Sequence, residues 1–190
     1  LDHPGLKGLV VSIASDDPFW PSLPCAADPR IARVEGGRER ADSVLNALLH
    51  LHALGASDYD WVLVHDAARP NLSREDLDKL LRELALDPVG GLLAVPARDT
   101  LKRVDKHGRV VETVDRSLIW QAYTPQMFRL GALHRALADS LVADAKITDE
   151  SSAMEWAGLA PRLIEGRSDN IKVTRPEDLE WLRLRWANRR

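Results

Sequence analysis

Trp61-Val-Leu-Val-His-Asp-Ala-Ala-Arg-Pro70 decides how this chain is read. Trp61 to Val64 is a short apolar, β-branched run, the composition of a strand buried on both faces, and it stops abruptly at polar residues. In an open α/β sheet, ligands bind just beyond the carboxyl ends of the strands, so Asp66 and Arg69 are placed to project into that crevice. A carboxylate there can hold a divalent cation, and a guanidinium three residues on can grip a phosphate bidentately. Ala67 and Ala68 keep side chains out of a ligand's way, and Pro70 fixes the exit of the turn. The same residues also fit a capped turn with a surface ion pair, so the flanking sequence has to decide.

Upstream, Gly8 to Ala14 reads as a buried strand, and the proline-punctuated Asp16 to Pro24 as one short helical turn followed by loop. Ile31 to Val34 is a second strand. Gly36-Gly37 breaks it, and Arg38 to Ser43 lead into a helical pattern over Val44 to Leu54 that Gly55 ends. A glycine pair before a helix can present backbone N–H groups to an anion, or can simply make a tight turn.

Downstream, Asn71 to Asp76 supply the cap for a helix over Leu77 to Leu86. Gly90 to Pro96 is another continuous apolar run and ends in Arg98-Asp99-Thr100, so two strands deliver polar groups to one edge. Thr100 to Val114, around Lys106-His-Gly108, reads as a polar two-stranded arm. A lone hairpin is marginal in water, so a second subunit is expected to cover it. Asp115 to Phe128 reads as a capped turn with a strand-like end, and Leu130 to Leu141 as an amphipathic helix. Ile147 to Trp156 opens with a capping box on Thr148. Arg162 to Glu165 and Ile171 to Thr174 read as short strands, and Pro176 opens the last helix.

This alternation of apolar strands and helices predicts an α/β fold, a doubly wound and mostly parallel sheet with a protruding β-arm. With 190 residues and 45% hydrophobic content, the chain can bury one full core and is most simply a single domain. A net charge of -3 gives no basic field, so polymeric nucleic acid is not an expected partner. The single cysteine, Cys25, excludes an intrachain disulfide framework and points to a cytoplasmic protein. The longest apolar run is too short to span a bilayer, so no membrane association is expected.

Asp66, Arg69, Asp99, Thr100 and Lys172 all fall at strand ends, and a carboxylate among cations suits phosphate and metal. Nucleotidyl transfer needs little more, since in-line displacement is accelerated by positioning and by neutralising charge on the transferring phosphorus. No serine or cysteine sits in a nucleophile-elbow context. His50 and His52, at i, i+2, face different sides of a helix, and His65 reads as strand-end packing.

Five blocks then point to a family: Gly36 to Val44, Val64 to Pro70, Thr124-Pro-Gln126, Ile147-Thr-Asp-Glu150 and Gly166 to Thr174. In order and spacing the chain resembles the 2-C-methyl-D-erythritol 4-phosphate cytidylyltransferases along essentially its whole length. The resemblance implies a Rossmann-like nucleotidyltransferase fold and a reaction of CTP with methylerythritol phosphate that releases pyrophosphate, on the non-mevalonate route to isoprenoid precursors. It also implies Mg2+ and a homodimer interlocked by β-arms. Carried over, it places Asp66 at the metal and nucleotide, Gly36, Gly37 and Ser43 at the nucleotide, and Ala67 and Arg69 beside the substrate. Thr100, Arg116, Thr124 and Thr148 fall at the methylerythritol phosphate, some of them reaching a neighbouring subunit's site, and Lys172 faces the phosphates. Asp66, Lys172 and Arg116 are the residues it assigns to catalysis.

Two features depart from the family. Arg38 stands where relatives carry an acid, which removes a side-chain contact to the base. The family's opening strand, its glycine-rich loop with an arginine and its Pro-Lys-Gln segment are not found before Leu1, so the chain is expected to be a piece of a longer protein. The missing strand would lie mid-sheet, where its loss leaves unpaired backbone. The rival readings are a cytidylyltransferase for another polyol phosphate, such as ribitol 5-phosphate, and a non-catalytic dimerising fragment.

Overall fold

A computed structural model of the chain describes residues 3–187, so Leu1 and Asp2 of the polar entry lie outside the described residues. The chain forms two compact units. One comprises the residues up to Val62 with Phe128–Ala160, the other Leu63–Met127 with the residues from Pro161 onward.

In the first unit, β1 (Leu9–Ile13) pairs in parallel with β2 (Ile31–Glu35), from Leu9 opposite Ile31 to Ile13 opposite Glu35. Two 3-10 turns, Trp20–Ser22 and Pro24–Ala27, occupy the proline-rich connection, one more than the sequence suggests. Helix α1 (Arg40–Ala53) packs on β1 and on α3 (Leu130–Val142), which packs on α4 (Glu150–Trp156). Leu48, Leu130, Leu133, Leu137 and Met154 are buried among these helices. Helix α1 begins four residues before the apolar pattern does. The Glu39 amide donates to the Asp42 carboxylate at 3.0 Å, so the polar lead-in is already its first turn.

A four-stranded sheet has the order β3 (Trp61–Val64), β7 (Trp120–Arg129), β4 (Gly90–Pro96), β8 (Arg162–Glu165). Strands β4 and β8 are parallel, with Gly91 opposite Arg162. A Cβ on Gly91 would sit 1.9 Å from the Arg162 carbonyl oxygen, so only glycine lets the two backbones approach this closely. Gly90 to Val95 are all buried, which is why β4 reads as an unbroken apolar run. Helix α2 (Arg74–Leu84) covers β4 and β8 with Leu80 and Leu84. Ser73 caps it, its hydroxyl accepting from the Asp76 amide at 3.1 Å.

The hairpin of β5 (Leu101–Val104) and β6 (Val110–Val114) is antiparallel, with an irregularity between Arg103 and Val104. The Asp105 carboxylate closes its turn by accepting from the His107 and Arg109 amides at 2.8 and 2.9 Å. Helix α5 (Pro176–Ala187) ends the described chain and buries Leu182. No described helix is long and apolar enough to cross a membrane.

Two expectations are corrected. Ile171 to Thr174 form no strand: the stretch makes no ladder, and is pinned by the Val173 amide donating to the Ala68 carbonyl at 2.8 Å. The cap of α4 is Asp149 rather than Thr148, because the Asp149 carboxylate accepts from the Ser152 amide at 2.9 Å while the Ser152 hydroxyl accepts from the Asp149 amide at 3.1 Å.

Candidate active site

In the second unit the chemistry gathers where β3 runs out. The Asp66 amide donates to the Thr124 hydroxyl at 3.1 Å, and that hydroxyl lies 2.9 Å from His65 Nδ1. His65 Nε2 lies 2.9 Å from the Arg69 carbonyl, which can only accept. Nε2 therefore carries the proton, and Nδ1 accepts from Thr124. Desolvation by burial favours the neutral ring and holds its pKa below the ordinary value. His65 does more than pack: with Thr124 it holds the turn that presents Asp66.

The Asp66 side chain is 13% exposed, with Lys172 Nζ at 3.1 Å and Arg69 Nε at 3.8 Å from its Oδ2. The two cations differ in availability. Lys172 is 43% exposed and reaches Asp66 from the pinned stretch after β8. Arg69 is buried over the Tyr123 ring at 4.3 Å, and its Nη1 and Nη2 donate to the carbonyls of Asn170 at 2.8 Å and Ala122 at 3.4 Å. Those bonds use one N–H of Nη1 and one of Nη2 and anchor the guanidinium to the backbone, which tells it apart from the more exposed Lys172. Burial also lowers its pKa, against the pull of Asp66. Asn170, fully buried, completes the frame by donating from Nδ2 to the Thr124 carbonyl at 2.9 Å.

In the first unit a cavity of about 350 Å3 opens beside the glycine pair, between Ile13 to Asp16 and the Glu35 to Gly37 turn, with Ser43 on its wall. The Gly36 amide donates to the Ile13 carbonyl at 2.8 Å, and the Gly37 amide to the Ser43 hydroxyl at 2.9 Å. Both N–H groups are thus spent inside the protein and do not form an anion cradle. The Ser43 hydroxyl in turn donates to the Glu39 carbonyl at 3.1 Å. A Cβ on Gly37 would meet the Asp42 Cβ at 2.1 Å, so glycine is what lets the loop close on α1. With Asp16 and Glu35 at its rim, the cavity suits the hydrogen-bonding edge of a base or sugar better than a polyphosphate.

Thr148 is exposed on the turn before α4, in the same unit as this cavity. The next acid but one, Glu150, is buried and receives both Arg40 guanidinium nitrogens, at 2.6 and 3.0 Å. Burial raises the Glu150 pKa, with Arg40 pulling it the other way. In the second unit, Ala67 is exposed on the turn with Asp66, and Thr100 and Arg116 are exposed just outside the paired ends of the hairpin, where Leu101 faces Val114. Among the described residues no group of three or more His, Cys, Asp or Glu side chains could hold a metal alone. Asp66 is a single carboxylate, sufficient for a hard cation that keeps waters and takes its other ligands from phosphates.

Residues 1–183 match the family model described as IspD, 2-C-methyl-D-erythritol 4-phosphate cytidylyltransferase. The chain belongs to this family. It is 88% identical, over 100% of its length and 81% of the relative's, to a protein of Pseudomonas fluorescens named 2-C-methyl-D-erythritol 4-phosphate cytidylyltransferase. A Pseudomonas putida protein of the same name is 80% identical over the same shares. A crystal structure of a 4-diphosphocytidyl-2C-methyl-D-erythritol synthase aligns with TM-score 0.88 at 42% identity, covering 97% of this chain and 84% of its own. The Francisella tularensis cytidylyltransferase aligns with TM-score 0.82 at 39% identity, covering 96% of this chain and 82% of its own. The fold expected from the resemblance is therefore the one present.

Of the residues that sequence singles out, Asp66, Arg69, Thr124 and Lys172 converge, and Gly36, Gly37 and Ser43 form one wall. Sequence assigns no site role to His65, Asn170 or the Arg40–Glu150 pair. All four residues lie within the blocks that carry the family resemblance, and His65 also stands between a strand end and an acid.

Proposed function

We propose that this chain transfers CMP from CTP to 2-C-methyl-D-erythritol 4-phosphate and releases pyrophosphate. The observation that carries this reading is the Asp66–Lys172 pair, 3.1 Å apart at the carboxyl end of β3, in a chain of this family. An oxygen of the acceptor's phosphate attacks the α-phosphorus of CTP, and the bond to the pyrophosphate oxygen breaks. Negative charge moves from the attacking to the leaving oxygens, and fixed cations stabilise that redistribution. Lys172 is exposed enough to meet those oxygens. Arg116, exposed at the hairpin base, faces the acceptor's phosphate in this reading, and its planar fork suits that anion. In this reading the cavity beside Gly36, Gly37 and Ser43 takes the cytidine.

Asp66 would hold Mg2+ together with phosphate oxygens of the substrate. When bound, the ion adds positive charge at the transferring group. Arg69, Thr124 and Ala67 shape and hold the Asp66 turn, and Thr100 and Thr148 supply hydroxyls for the polyol. A homodimer formed through the hairpin fits its exposed apolar side chains, Val104, Val110 and Val111, at 53%, 61% and 63% exposure. The test is pyrophosphate release from CTP with Mg2+ and methylerythritol phosphate, run beside ribitol 5-phosphate. Turnover of the first acceptor and not the second supports the reading. Turnover of ribitol 5-phosphate alone replaces the acceptor, and release of pyrophosphate with neither acceptor overturns it.

A further inference from the structure

Arg40 and Glu150 form the strongest-looking ion pair in the first unit. The carboxylate, 1% exposed, receives two guanidinium nitrogens, at 2.6 and 3.0 Å, from an arginine that is itself 36% exposed. Burying a carboxylate this far is costly, and the fork–fork geometry offsets the cost only while both partners stay in register. The pair also has two definite neighbours. Arg40 is the first residue of α1, directly after the glycine loop whose Gly37 amide donates to the Ser43 hydroxyl in that helix's first turn. Glu150 is the first residue of α4, directly after the turn in which the Thr148 and Asp149 amides both donate to the Ser152 hydroxyl, at 2.9 and 3.1 Å.

We propose that the Arg40–Glu150 pair is a positioning clamp that locks the Thr148 turn to the start of α1 and the Gly36–Glu39 loop before it, so that acceptor recognition is set by the same rigid body that holds the nucleoside. Neither residue touches substrate. This rests on the reading of Ser43 and Thr148 as substrate contacts. The bidentate geometry fixes the relative rotation of the two helix starts as well as their separation, which a single contact or an apolar pair would leave loose. The order of α4's first turn then depends on a residue of α1, and a nucleoside that stiffens the glycine loop stiffens the Thr148 turn too.

The test replaces both partners by an apolar pair of similar length, Arg40→Met with Glu150→Met, because removing one alone leaves a buried charge and endangers folding. In the otherwise intact protein, amide hydrogen exchange at Thr148, Asp149 and Ser152 is expected to accelerate about tenfold. The KM for methylerythritol phosphate is expected to rise about tenfold while the KM for CTP stays within about twofold. Arg40→Lys, which keeps the charge and loses the fork, should fall between. Unchanged exchange at the Thr148 turn, or an unchanged acceptor KM in the double variant, overturns the clamp. Exchange is read without substrate, so a wild-type protein that releases no pyrophosphate would overturn the functional reading while the exchange result still decides the clamp.

Discussion

The Lys172 ammonium lies 3.1 Å from Asp66 Oδ2, and neither residue belongs to a strand: one sits in the turn after β3, the other in the stretch after β8. Their geometry is set by what pins those two segments, the Thr124 hydroxyl under the Asp66 amide and the Ala68 carbonyl over the Val173 amide. The pair is therefore preorganised by backbone that cannot shift without breaking hydrogen bonds, the condition under which fixed charges are worth most to a transition state.

Asp66→Asn is expected to lower Mg2+-dependent pyrophosphate release by at least about a hundredfold. Lys172→Gln should cost a similar factor in kcat and shift the thermal midpoint little, since Lys172 is 43% exposed and an ion pair with one solvated partner contributes only ~0–1 kcal/mol. Turnover and a melting curve on the same samples check this. An Asp66→Asn enzyme with wild-type turnover removes that carboxylate from the metal site.

Arg69 makes the opposite kind of prediction. Its guanidinium is anchored to the Asn170 and Ala122 carbonyls, so Arg69→Met strands buried acceptors and is expected to destabilise the fold by roughly 3 kcal/mol. Arg69→Lys, with the charge but not the fork, should rescue little of it. Urea unfolding decides the matter. Full stability combined with a raised KM for CTP would show that Arg69 grips phosphate after all.

The contrast between these two cations marks what sequence could and could not reveal. Trp61 to Val64 and Gly90 to Pro96 were legible as strands because every residue on them is apolar, although burial on both faces holds for β4 and not for β3, where only Val62 is buried; Asp66 was legible because a charge follows such a run. The fate of Arg69 depends on carbonyls that β7 and the Gly166–Asn170 loop bring from far along the chain, and no local pattern encodes their arrival. Ile171 to Thr174 alternates like a strand, yet its position leaves one backbone bond instead of a ladder. At the start of α4, Thr148 and Asp149 are both good caps, and only the position of Ser152 selects Asp149. Glu150 looks like any first-turn acid until its burial is known.

Gly37→Ala should injure the nucleoside pocket without touching the cationic cluster. The new Cβ would fall 2.1 Å from the Asp42 Cβ, so the loop must move away from α1, taking the Ser43 hydroxyl bond with it. The expected result is CTP binding weakened by about tenfold, measured calorimetrically, with pyrophosphate binding unchanged. Equal weakening of both ligands would place the effect in folding instead.

Deleting Lys102 to Thr113 removes the exposed Val104, Val110 and Val111 and leaves the four-stranded sheet intact. Light scattering after gel filtration should then report a monomer, with the acceptor KM raised because Thr100 and Arg116 lose their anchored base. A shortened protein that remains dimeric places the interface elsewhere.

His65 sets a direction for the pH dependence of stability. Its ring lies within hydrogen-bond distance of the Thr124 hydroxyl at Nδ1 and of the Arg69 carbonyl at Nε2, and desolvation by burial lowers its pKa from 6.5. Between the folded value and 6.5 the unfolded chain binds more protons than the native one, so stability rises with pH across that window. The contribution is complete above 6.5 and is lost as pH falls below it. His65→Gln keeps a donor toward the Arg69 carbonyl but does not titrate. The difference in unfolding free energy between wild type and this variant should therefore shrink as pH is lowered from about 8 to about 5. A difference that stays flat across that range would mean that the imidazole charges without disturbing the Asp66 turn, and the neutral tautomer would lose its place in the site.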